Sequence, residues 1–197
     1  MDTIEEYINR RTLIVGDVNS GKTDRTLKIL KRFLRAGYGK NIAILDLAPD
    51  SVRGIGGKME PPLDEPLVYL TTSISAPRLT GINKSHIWHL AENNSTAIEK
   101  LFEKLRQQNR AILFVNDATL YLQAGHFQRF LEILETASTQ IINAYYGSTF
   151  ADSELTRREK KRTEDLMKIC DKVITMASEP FKSVQMGAQD NEENFKF

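Results

Sequence analysis

Eight consecutive residues, Gly16-Asp17-Val18-Asn19-Ser20-Gly21-Lys22-Thr23, constrain this chain more than any other stretch. They fit G-x-x-x-x-G-K-[ST], a loop whose backbone N–H groups curl around phosphate oxygens. The pattern carries chemistry only between a strand and a helix. Thr12-Leu13-Ile14-Val15 reads as a short apolar strand before it. Lys22 to Ala36 reads as a helix after it, with Leu27, Leu30, Leu34, Ile29 and Phe33 on one face and Lys28, Lys31, Arg32 and Arg35 on the other. Glycine lets the backbone approach an anion with no Cβ in the way. The helix N-terminus adds partial positive charge. Lys22 is placed to reach the β- and γ-phosphates, and the Thr23 hydroxyl to ligate Mg²⁺. Residues 16–23 are therefore read together as a nucleotide-binding segment. A chance glycine turn would have neither neighbour.

Beyond this loop, apolar runs alternate with helical patterns. Asn41 to Leu47, Leu67 to Thr71, Ala111 to Asp117, Gln140 to Tyr146 and Lys172 to Met176 read as further strands. Helices are expected over 84–92, 95–107 and 153–170, and around Phe127, Phe130, Leu131 and Leu134. Residues 49–66 and 73–83 read as irregular loops rich in glycine and proline. Such alternation predicts a three-layer, doubly wound α/β fold with a mostly parallel sheet and right-handed crossovers. Ligands on such sheets sit beyond the carboxyl ends of the strands. Residues 1–181 are read as one domain. Residues 1–11 form its short helical extension, begun by the capping-box pair Thr3 and Glu6, and 182–197 a polar, flexible tail.

Composition narrows the partners. With 27 basic and 26 acidic side chains among 197 residues, bulk charge makes no case for a nucleic-acid coat protein. The one cysteine, Cys170, has no partner for an internal disulfide and sits in an apolar helix pattern, which suits a structural thiol. Met1 to Glu6 is acidic with no apolar stretch, so no secretory signal is expected. No apolar run approaches the ~20 residues that span a bilayer. A cytoplasmic chain with no membrane partner is the expectation.

Magnesium beside a phosphate loop needs an acid at the end of a neighbouring apolar strand. Ile112-Leu113-Phe114-Val115-Asn116-Asp117 has that form, and Asp117 is the expected metal ligand, direct or through water. A strand-end turn is its other reading. Residue 118 is Ala, so a base must come from elsewhere. Asp46, ending the strand after the first helix, is the candidate to orient the nucleophile, with Asp50 in reserve; a turn acid before Pro49 is the alternative. Asn143, ending the next strand, is the candidate to hydrogen-bond the base or else a buried structural amide. Ala144-Tyr145-Tyr146 follows Asn143, so the guanine-reading Asn-Lys-x-Asp pattern is absent and ATP is favoured over GTP.

Thr156 to Arg162 packs five cations into seven residues. It reads as a solvated helix face, with Glu154, Glu159, Glu164 and Asp165 as intrahelix partners, or as a lid whose arginine meets the phosphate. Arg53, Lys58, Arg78 and Lys84 on the two loops are candidates to hold an acceptor's phosphates. His86 and His89 have metal spacing but no third ligand nearby, which suits two surface histidines.

On the 16–23 motif in its strand–loop–helix setting, the chain resembles the P-loop NTPase superfamily, and the resemblance implies that fold. The order of later features resembles the polynucleotide 5′-hydroxyl kinases of RNA processing. It rests on Asp46-Leu47-Ala48-Pro49-Asp50 with Gly54-Ile55-Gly56-Gly57, then Tyr69 to Pro77, then Asn116 to Gly125. Ala48 stands where that family has a second acid. The chain is also similar to the partition and cell-division ATPases, although Asp17 and Val18 occupy the place of their extra lysine. Around 111–176 it is similar to cobalamin adenosyltransferases, without their acidic pair. These likenesses imply an ATP-binding enzyme that uses Mg²⁺ to hydrolyse ATP or transfer its γ-phosphoryl group, in the sharpest version to a nucleic-acid 5′-hydroxyl. The alternative is a nucleotide-dependent switch of low turnover that docks a partner protein or a second copy of itself.

Overall fold

The computed structural model describes residues 3–62 and 64–177. The expected tail at 182–197 and the expected domain end at 181 lie outside the described residues. Six strands form one sheet: β1 (Arg11–Gly16), β2 (Ile42–Asp46), β3 (Val68–Thr71), β4 (Ile112–Asn116), β5 (Thr139–Tyr145) and β6 (Lys172–Met176). Their order is β3-β2-β4-β5-β1-β6, and every neighbouring pair is parallel. The helices are α1 (Lys22–Arg35), α2 (Pro77–Thr80), α3 (Lys84–Arg106), α4 (Thr119–Leu122), α5 (Phe127–Leu134) and α6 (Glu154–Lys168). The doubly wound α/β fold with a parallel sheet expected from the sequence is the fold of the chain, and the loop 16–21 joins strand β1 inside the sheet to its crossover helix α1.

Strand periodicity sorts the core into two slabs. Ile14, Ile44, Phe114 and Ile141 face α1, meeting Ile29, Leu30 and Phe33. Leu13, Leu45, Val115 and Ile142 face the opposite way, onto Ile98, Leu101 and Phe102 of α3 and Phe130, Ile133 and Leu134 of α5. Because β2, β4 and β5 are covered on both faces, their sequences run apolar without alternation. Edge strand β6 alternates half-buried and exposed residues instead.

Local chemistry sets the ends of α1. Gly21, at φ +79°, turns the chain into the helix. At the other end Gly37 takes φ +85°, its N–H donates to Leu34 O, and the Tyr38 N–H donates to Phe33 O, a pairing that satisfies the last carbonyls.

Two expectations are corrected. The segment before β1 is a single 3-10 turn, Ile4–Glu6, with the Thr3 N–H donating to the Glu6 carboxylate; fully buried Tyr7 then anchors the chain under α1 and stops the helix. Residues 84–106 form one helix, not two. Asn94 does not break it, because its amide is used in tertiary contact. Its Oδ1 accepts from the Ser75 N–H and its Nδ2 donates to Ser75 O, both at 2.9 Å. That clamp fixes the start of α2. Among the described residues no helix is long and apolar enough to cross a membrane.

Candidate active site

The carboxyl ends of β1, β2, β4 and β5 frame a crevice of about 340 Å³, lined by residues 18–24, the loop around Ile55 to Gly57, and α2. On its near side the chain leaves β1 at Gly16, passes Asn19 (φ +53°) and Gly21, and enters α1 at Lys22. No side chain fits at Gly16, where a Cβ would stand 2.5 Å from Ser20 Oγ and 2.9 Å from Met176 O. The Asp17 carboxylate accepts from the Val18 and Ser148 N–H groups and so ties the loop to the segment after β5. Burial pulls its pKa up, but hydrogen bonds from Thr149, Ser148 and Val18 outweigh that and leave it below the ordinary value. Lys22 folds back onto its own loop, donating to Asp17 O at 2.5 Å. Burial lowers its pKa, and Asp117 and Asp17 counter the shift.

A buried amide ribbon forms the floor. The Thr23 hydroxyl donates to Asn116 Oδ1 (3.2 Å), which also accepts from Asn143 Nδ2 (2.9 Å). Asn116 Nδ2 donates to Asp46 Oδ1 (2.8 Å) and Asn143 Nδ2 to Thr26 Oγ1 (3.0 Å). Sequence reasoning missed Asn116. Its signal was register: as the last residue of β4 it pairs with Asp46 at the end of β2.

Asp117 follows Asn116 in the left-handed region, at φ +53°. Asn143 grips this turn twice, its Oδ1 accepting from the Asp117 N–H and its carbonyl from the Ala118 N–H. Asp117 thus lines the crevice beside the loop. Burial raises its pKa, and the charges of Lys22 and Arg78 pull it partly back. One carboxylate oxygen, Oδ1, is enclosed and meets no donor. An orphaned hard oxygen in a crevice that Thr23 also lines fits Mg²⁺, which takes one or two protein oxygens and completes its shell with phosphate and water. Among the described residues no cluster of three or more His, Cys, Asp or Glu could hold a metal ion.

Three expectations give way. Asp46 does not reach the crevice: it is fully buried, and its carboxylate accepts from Ala48 N, Met59 N, Tyr69 Oη and Asn116 Nδ2. It tethers the 49–62 loop, and no lone pair is left for a nucleophile. Asp50 is exposed and is not part of the crevice lining. Asn143 is 1% exposed, its Nδ2 donates to Thr26 and Asn116 and its Oδ1 accepts from the Asp117 N–H, so it aims Asp117 and has no donor left for a base.

Of the two readings of the 156–162 run, the lid arginine is the one the structure does not support. On α6, Arg158 and Arg162 donate to the carbonyls of Ala124 and Gly125, away from the crevice. The arginine that lines it is Arg78. Glu159, expected to serve its own helix, turns inward and pairs with Arg78. His86 and His89 bond to Ile82 N and Asn93 respectively, as surface residues of α3. Cys170 packs half-buried against the core, and burial pushes its thiol up to about 12.

No family model matches the chain, and no curated protein matches it. Among solved structures it is similar to the Pif1 helicase from Candida albicans, at 15% identity and a TM-score of 0.39, over 85% of this chain and 36% of that one. The chain thus spans about a third of that structure, and the assignment of fold rests on the chain's own topology.

Proposed function

We propose that the chain binds a nucleoside triphosphate with Mg²⁺ in this crevice and cleaves or transfers its γ-phosphoryl group. The observation that carries the reading is the loop 16–23 at the carboxyl end of β1, running into α1 with Lys22 and Thr23 beside Asp117. The first N–H groups of α1 precede its first backbone bond, from Arg25 N to Gly21 O, and are open to phosphate oxygens. Lys22 would exchange the carbonyl of Asp17 for β- and γ-phosphate oxygens, a stronger charge-assisted pairing. Thr23 and Asp117 would hold Mg²⁺, which when bound neutralises charge developing on the phosphates. Such positioning and electrostatic stabilisation make up most of phosphoryl-transfer catalysis. ATP is the favoured nucleotide, resting on the missing Asn-Lys-x-Asp segment alone. A nucleic-acid 5′-hydroxyl is the acceptor implied by the kinase resemblance.

A second reading, the switch of low turnover, has its own support. Ala118 follows Asp117, and Asp46 is fully engaged, so no second carboxylate at the strand ends is free to activate water. Single-turnover measurements with radiolabelled ATP separate the possibilities. Label passing to an oligonucleotide supports the kinase, rapid phosphate release the ATPase, and tight binding with neither the switch. No calorimetric heat with millimolar MgATP or MgGTP would refute all three.

A further inference from the structure

Arg78, the second residue of α2, lines the crevice together with Lys22, and both charges act on Asp117. Its guanidinium lies 3.8 Å from the Phe150 ring centroid and 4.8 Å from that of Tyr145. One of its nitrogens bonds Glu159, a carboxylate 1% exposed, whose other oxygen accepts from Gln123 Nε2 at 2.9 Å. The pair joins two elements far apart in sequence. The cations that flank Glu159 on α6 are turned to other groups: Arg158 and Arg162 to carbonyls, Lys160 to the face of Tyr146.

Burying an ion pair is not an efficient route to stability, since desolvation offsets much of the attraction. A guanidinium between two aromatic faces at the rim of a phosphate crevice has a better use. A terminal phosphate carries nearly twice the charge of a carboxylate and offers three oxygens to a planar fork of donors.

Resting on the triphosphate reading, we propose that Arg78 is the residue that recognises the terminal phosphate. Glu159 holds it while no nucleotide is bound, and the guanidinium changes partner for a triphosphate but not for a diphosphate. The exchange leaves Glu159 buried without its cation. The groups that face it are Arg78 from α2, Gln123 beyond α4, Asp117 at the end of β4 and Tyr145 at the end of β5, and Arg78 is the one cation among them. Burial already raises this carboxyl to about 7, with Arg78 holding it down, so loss of Arg78 raises it further. Triphosphate binding at neutral pH then draws a fraction of a proton from solution.

The test is calorimetric titration of the full chain with MgATP and MgADP, in two buffers of different ionisation enthalpy. The wild-type chain is expected to take up protons with MgATP and not with MgADP. Glu159→Gln keeps the Gln123 contact and should abolish the uptake while retaining the preference for ATP. The double variant Arg78→Ala/Glu159→Gln, which leaves no buried lone charge, should lose that preference by about tenfold or more, the loss of a charged hydrogen bond. Its ADP affinity should change far less. Arg78→Lys, which keeps the pair but not the fork, should lose several-fold and provides the comparison if the double variant does not fold. Wild-type ATP preference in both Arg78 variants, or equal loss of ATP and ADP binding by a folded variant, would overturn the inference alone. A wild-type chain that binds neither nucleotide would overturn the triphosphate reading and this inference with it.

Discussion

The Thr23 hydroxyl and the Asn116 amide are hydrogen-bonded at 3.2 Å, linking the start of α1 to the end of β4 across the intervening strand β5. Within the sheet, β4 and β1 lie two strand spacings apart, roughly 10 Å. The amides of Asn116 and Asn143, hydrogen-bonded at 2.9 Å, bridge the strand ends between them.

Replacing Asn116 by Ala would remove one of the two donors to Oδ1 of buried Asp46 and leave the Thr23 hydroxyl and part of the Asn143 amide without a partner. Buried groups left unpaired cost about 1–3 kcal/mol each, less where water can enter. A loss of about 2–4 kcal/mol is expected, read as a lowered urea midpoint at unchanged slope. A midpoint within experimental error of wild type would show that the ribbon is not under tension.

Lys22→Ala should weaken MgATP binding by about ten- to a hundredfold, the range for one charged hydrogen bond set. Stability should hold or rise slightly, because the ammonium is desolvated in the nucleotide-free chain. Equilibrium titration with a fluorescent ATP analogue, alongside a thermal melt, checks both halves. Unchanged affinity would remove the loop from the binding site.

Gly16→Ala adds a methyl that collides with Ser20 and the Met176 carbonyl. The neighbour at 2.9 Å is backbone and cannot swing away, so β6 or the loop must shift. Overpacking of this kind costs about 1–3 kcal/mol. Nucleotide affinity should fall with it, and a variant that melts and binds like wild type would contradict the packing described.

Stability should also depend on Glu159. Its carboxyl is raised from 4.5 to about 7, chiefly by burial. Between those values the folded chain binds the proton more readily than the unfolded one. This contribution is therefore fully present below about 4.5 and is lost as pH climbs toward 7, by about 3 kcal/mol in all. Urea midpoints taken at pH 5 and 7.5 should converge in Glu159→Gln relative to wild type. An identical pH slope in the two proteins would refute the assignment.

Much of this architecture was legible because it follows from short-range rules. Apolar runs covered on both faces marked β2, β4 and β5, and the glycine loop fixed the β1–α1 junction. The site was harder. Asp46 and Asn143 sit at the strand ends where functional groups gather, but apart from the Ala48 N–H their side-chain hydrogen-bond partners lie 13 to 117 residues away. Glu159 was hidden for a related reason. Inside a run of cations its charge suggests local pairing, whereas its orientation is set by where α6 lies on the segment after α4. Asn94 shows the same limit, because nothing local told that its amide would grip Ser75.

That grip turns α3 into a lever. Asn94 holds the residues just ahead of Arg78, and the helix runs on for twelve residues to Arg106, about 18 Å at 1.5 Å per residue. A rigid rod clamped near its middle passes a tilt at either end to whatever it clamps. A contact made on the surface near Arg106, remote from any phosphate, would therefore be felt as a change in where the guanidinium stands.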